Sequence, residues 1–168
     1  MSEFFAHSAA FPGGPKHLLK DHINGVTNMA VEFAGHFGMA NEAVVAGILH
    51  DLGKYGVLFQ DRLENPNIVK GIDHWTAGAW VAHKQHHPNG VAAAIEVHHV
   101  GLQSGARAAL DQLDPVRFEQ SGVRLSEVDI NVLLKRLSSD GVQLPEVLEI
   151  SDPRKGAERM LRTGMRRS

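Results

Sequence analysis

Apolar residues recur at three- and four-residue steps along much of this chain, a spacing that predicts helices. The first stripe runs from Pro15 to Phe37, with Leu19, Ile23, Val26, Met29 or Ala30, Phe33 and Phe37 on one face. Pro15 suits the first turn of that helix and Gly38 its stop. Asn41 caps a second helix, whose body is the small apolar run Glu42-Ala43-Val44-Val45-Ala46-Gly47-Ile48-Leu49. Val57–Leu63 predicts a further turn or two, ahead of an Asn65-Pro66-Asn67 loop. Asp73 caps a third helix, rich in the alanine and glycine that permit close packing, and Pro88-Asn89-Gly90 breaks it. A fourth helix begins with Val91–Val97 and closes on His98-His99. Beyond it the pattern loosens into a short helix at Ala106–Leu113, a helix at Ser126–Leu137 capped by Ser126, and a basic last helix at Pro153–Met165. Residues 1–14 read as an irregular lead-in whose three phenylalanines pack on the core. No stretch alternates as a strand should, so the expected fold class is an all-α bundle forming a single domain over residues 1–168.

Composition narrows the chemistry. With 43% hydrophobic and 21% charged residues among 168, the chain has material for one ordinary core. The absence of cysteine excludes disulfides, thiolate metal sites and cysteine nucleophiles, and the expected location is a reducing cytoplasm. No apolar run is long enough to span a bilayer, so no membrane partner is expected. A net charge of −2 leaves any nucleic-acid contact to a local patch. Histidine is the outlier, with eleven copies, many paired or beside aspartate, which suggests metal binding.

The organising stretch is Ile48-Leu49-His50-Asp51-Leu52-Gly53-Lys54. Two polar side chains at the end of a buried helix are costly unless partnered. Neutral imidazole and ionised carboxylate both suit a divalent transition metal. If the helix continues, Lys54 projects from the same face, three residues beyond Asp51. His22, His50-Asp51, His74 and His98-His99 sit on four separate helices, whose converging ends can surround one or two ions.

Specific phrases carry a family likeness. "AHS" at Ala6–Ser8, "DHINGV" at Asp21–Val26, "GILHDLGKYGVLFQDRL" at Gly47–Leu63, "DHWTAGA" at Asp73–Ala79 and "IEVHHVGL" at Ile95–Leu102 resemble the motifs of HD-superfamily metal-dependent phosphohydrolases. They are most similar to the CRISPR-associated HD nuclease, the nuclease domain of the type I interference nuclease-helicase. The resemblance implies an HD helical bundle and a metal set of His22, His50, Asp51, His74, His98 and His99. It implies that the Asp51 carboxylate bridges two ions and that Lys54 holds phosphate or an activated water. Single-stranded DNA is the implied substrate, with Mn, Fe, Co or Ni as cofactor. A helicase domain or subunit and the guide-RNA surveillance complex are the implied partners.

Two positions depart from the family pattern. Trp75 stands where serine is usual, and no late Val-Asp-Ala-Asp-like phrase is present, leaving Asp140 and Asp152 as the late carboxylates. The ending, Arg159 to Ser168, resembles the approach to that late helix, so the domain is expected to continue past Ser168 toward it and a helicase.

Alternatives remain open: a phosphohydrolase of small nucleotides, or an inactive recruitment module. Trp75, Trp80 and Tyr55 can stack bases, although core packing suits Trp80 better. His83, His86 and His87 read as a solvated helix end, the basic Arg154–Arg167 segment as a solvated face, and His7, His17 and His36 as structural.

Overall fold

The computed structural model describes residues 3–11, 13–85, 89–100, 110–115 and 124–145, and helices carry most of them. In chain order the helices are α1 (Leu19–Gly35), α2 (Ala40–Leu49), α3 (Val57–Glu64), α4 (Thr76–Lys84), α5 (Asn89–Val100) and α6 (Ile130–Ser139). Short 3-10 turns lie at Leu52–Tyr55 and Asp111–Leu113. The fold class is all-α. The expected helix at 153–165 lies outside the described residues, as does all but the end of the one at 106–113.

α2 is the hub. It packs against α1, α4 and α5, while α6 covers the Leu52–Tyr55 turn. Val45, Gly47, Ile48 and Leu49 are all buried, as expected of a helix that is apolar around most of its circumference. The core around it holds Leu19, Ile23, Leu52, Tyr55, Ile95, Leu133 and Leu137.

The structure corrects several expectations. Among the described residues there are four very short strands: β1 (Phe5–His7) pairs antiparallel with β2 (His17–Leu18), and β3 (Ile72–Asp73) pairs parallel with β4 (Arg124–Leu125). Strands of two or three residues carry no alternation for a sequence to display. Because His17 and Leu18 are extended against β1, the first helix starts at Leu19 rather than Pro15. Its apolar stripe is only half used. Leu19 and Ile23 are buried, but Met29, Phe33 and Phe37 are 55%, 68% and 41% exposed. α2 meets α1 on a neighbouring face, where Gly47 lies against Thr27. Of the leading phenylalanines, Phe4 packs edge-on against Tyr55, whereas Phe11 is exposed.

Caps also shift. Asn41 lies inside α2 rather than before it. Asp129, not Ser126, caps α6 by accepting from the Asn131 N–H at 2.9 Å. Ser126 instead donates its hydroxyl to the Gly53 carbonyl, tying β4 to the histidine–aspartate loop. Asp73 does cap α4, accepting from the Trp75 and Thr76 N–H groups at 3.2 and 3.0 Å. Among the described residues no helix is long and apolar enough to cross a membrane.

α4 reaches α2 through a glycine contact. A Cβ on Gly78 would fall 1.9 Å from the Leu49 carbonyl oxygen, one residue before His50. Gly78→Ala is therefore expected to destabilise the protein by about 1–3 kcal/mol, as overpacking does. Alanine's helix-propensity advantage, about 1 kcal/mol, pulls the other way. A fall in the urea midpoint without a change in slope checks this; an unchanged or raised midpoint refutes it.

Candidate metal centre

The sequence places His50-Asp51 at the end of the second helix and a turn after it, with Lys54 on the same face only if the helix continues; it does not continue. α2 ends at Leu49, His50 caps it with its N–H on the Ala46 carbonyl at 2.9 Å, and a 3-10 turn follows. Such a turn eclipses residues three apart, so Lys54 still meets Asp51, with Nζ 2.9 Å from Oδ2. Gly53 lets β3 approach: its N–H donates to the His74 carbonyl at 3.0 Å, and a Cβ there would lie 2.6 Å from His74 Cα. His22 projects from the start of α1, and His98 and His99 from the last turn of α5.

The five histidines of the expected metal set gather around its one carboxylate. Asp51 is 2% exposed. Its Oδ2 lies 2.9 Å from His22 Nε2 and 3.0 Å from His50 Nε2. Its Oδ1 faces His74 Nε2 at 3.5 Å and His98 Nε2 at 3.8 Å, and has no hydrogen-bond partner. His99 Nε2 lies 2.9 Å from His74 Nε2. Two ligand groups therefore share Asp51: His22 with His50, and His74 with His98 and His99.

The far nitrogens are held by the backbone. His50 Nδ1–H donates to the Gly47 carbonyl at 2.7 Å, His98 Nδ1–H to Ile95, and His74 Nδ1–H more weakly to Ile72 at 3.5 Å. Each bond places the proton on Nδ1 and leaves the Nε2 lone pair aimed inward, as metal-ligating histidines require. Burial pushes the Asp51 carboxyl upward, but a hydrogen bond from His22, with the His50 and His98 imidazoles alongside, outweighs it and holds the group well below the usual carboxylate range. Burial pulls His74 down to about 3 against the attraction of Asp51, and also lowers His99. At neutral pH this is an ionised carboxylate beside neutral His74 and His99, with an orphaned buried oxygen on the His74 side. That donor set fits a divalent transition metal.

A family model described as HD domain matches residues 19–134. The chain belongs to the HD domain family. HD domains are generally metal-dependent phosphohydrolases, and the matched segment contains the His50-Asp51 pair. No curated protein and no solved structure matches the chain significantly.

Several other readings change. Asp73 is spent on α4 and on the Thr76 hydroxyl at 2.7 Å, so it is not a cap partner for His74. Tyr55 is buried and donates to Asp140 at 3.0 Å, which removes Tyr55 from base stacking and commits Asp140. Asp152 lies outside the described residues. His83 is buried, not solvated, with Nε2 2.7 Å from Asp111; His86 and His87 lie outside the described residues. Sequence reasoning missed Gln60 as a brace. Its amide donates to the Phe5 and Lys54 carbonyls at 3.0 and 2.7 Å, and its oxygen accepts from the Phe5 N–H at 3.1 Å. His7 and His17, read from sequence as structural, lie with His22 in a group whose ring nitrogens are within 4.8 Å of one another.

Two outcomes follow. In metal-free HD domain, His74 binds a proton only near pH 3 but does so near 6.5 once unfolded. Stability contributed by neutral His74 is thus complete above 6.5 and lost as pH falls toward 3. From pH 7.5 to 5 this one residue is expected to cost up to about 2 kcal/mol, read from urea midpoints; a flat profile contradicts it. Second, Mn or Co at about 100 times Kd is expected to stabilise the fold by about 2.7 kcal/mol. Thermal shifts check this, with Asp51→Asn losing most of the gain; equal shifts in both proteins would remove Asp51 from the metal site.

Proposed function

We propose that this HD domain hydrolyses phosphodiester bonds of single-stranded DNA, in the role of the CRISPR-associated HD nuclease. The observation that carries the reading is the division of Asp51: each oxygen faces its own histidine set, and Lys54 sits against one of them. Beside this centre opens a cavity of about 350 Å³, lined among others by His7, Lys54, Phe59, Arg62, His74 and His99.

When bound, one or two divalent ions of the Mn, Fe, Co or Ni class supply Lewis acidity at the phosphoryl group and the attacking water. The chain's own residues do the rest. Asp51, held ionised, fixes the histidines in register. Lys54 faces both Asp51 and the cavity, where its charge stabilises the negative charge that builds on the phosphoryl oxygens. Arg62 and His7 line the far wall and suit a neighbouring phosphate of the strand. Trp75, half-buried against His99 with ring centroids 4.7 Å apart, offers a stacking face for an unpaired base.

The branch assignment is supported by what its distinctive residues do. The glutamine of the Phe59-Gln60 pair binds β1 to the Lys54 segment, and Ser8 of the Ala-His-Ser phrase donates to the Leu63 carbonyl at 3.0 Å. These phrases thus act together on one wall of the site. In this reading a helicase domain or subunit delivers the strand, and the guide-RNA surveillance complex selects it. The cavity's volume is that of about one nucleotide, which favours a small-nucleotide phosphohydrolase as the second reading.

Circular single-stranded DNA, which has no ends, separates these. Linearisation with Mn, Co, Ni or Fe is expected. Asp51→Asn should lower the rate on the order of 10³-fold and Lys54→Met about 10²-fold. Folded, metal-loaded protein that leaves the circle intact but turns over a panel of mononucleotides and cyclic nucleotides would replace the first reading with the second.

A further inference from the structure

Two histidines outside the Asp51 centre are brought together by the short β1–β2 sheet. β1 and β2 pair so that His7 stands directly opposite His17. Directly paired residues of antiparallel strands project from the same face, and the two imidazoles stack at 6.1 Å with planes 25° apart. α1 begins immediately after β2 and turns His22 back onto them. Its ring meets His7 and His17 edge-on, at 5.2 and 5.7 Å with interplanar angles of 88° and 86°. One ring nitrogen from each of the three lies within 4.8 Å of the others. Among the described residues, neither the His7 nor the His17 ring has a hydrogen-bond partner.

We propose that His7, His17 and His22 form a separate three-imidazole site for a divalent transition ion, at the rim of the cavity and distinct from the Asp51 centre. The donor chemistry sets its preference. Three imidazole nitrogens and no carboxylate suit zinc, cobalt, nickel or copper over manganese or magnesium. Both strand histidines are exposed, so coordinating positions remain open to water or to a ligand oxygen. His7 also lines the cavity, which places such an oxygen on the substrate side. The Asp51 centre reaches His22 through Nε2. An imidazole has two nitrogens, and the His7–His17 ion takes the other one. His22 therefore serves both ions only as an imidazolate bridge, its remaining ring proton released to solvent when both centres fill.

The test counts ions. Wild type, a His7→Ala/His17→Ala double variant and Asp51→Asn are stripped with chelator, equilibrated in cobalt buffered at micromolar free concentration, and assayed by elemental analysis and visible absorption. The double variant is expected to lose one ion per chain, with its share of the cobalt bands, while keeping the ion or ions that Asp51→Asn loses. Asp51→Asn should retain the His7–His17 ion. An unchanged ion count and affinity in the double variant would overturn the site. Loss of every ion from it would also do so, because the histidines would then belong to the Asp51 centre. Far-UV circular dichroism and melting of the apoproteins report folding; should the double variant unfold, His17→Gln alone is held to the same criteria. None of these readouts uses DNA cleavage, so failure here leaves the proposed function standing.

Discussion

A carboxylate buried at the end of an apolar helix is the constraint from which the rest of this molecule follows. Ionised Asp51 has lost nearly all its water, and an isolated charge there would cost more than the fold can supply. The structure answers with Lys54 and two imidazoles on one oxygen and two further imidazoles near the other. Removing one partner of a buried pair costs about 3–5 kcal/mol, so the site and the fold are not separable. α1, the Leu52–Tyr55 turn, β3 and α5 each arrive at α2 carrying one of the groups that Asp51 needs.

This explains which parts were legible in the sequence. The helices that touch α2 read correctly because their apolar positions recur with a helical period over two or more turns. The histidines and Asp51 stood out because polar doublets at the ends of apolar runs demand partners. The route from Asp51 to Lys54 was not legible: a helix and a 3-10 turn both bring residues three apart together, and only coordinates separate them. The strands escaped because two or three residues hold no pattern.

The α1 stripe failed for a different reason. Phe33 and Phe37 keep the spacing of a buried face, yet the partner helix meets α1 at Thr27, on the side of smaller residues. Periodicity reports that a helix is two-faced; it does not say which neighbour reaches which face. His83 shows the converse. Its polar surroundings in sequence read as solvent, but Asp111, twenty-eight residues on, supplies a partner and permits burial.

The matched family segment begins at Leu19, yet the cavity beside Lys54 also takes Ala6, His7 and Ser8, which precede it, into its lining. Gln60 spends its amide on the backbone of both parts, so that stretch is fastened to the matched framework at a fixed distance. The mouth of the cavity is therefore shared: its rim joins a strand from ahead of the family segment to residues between Lys54 and His99 within it.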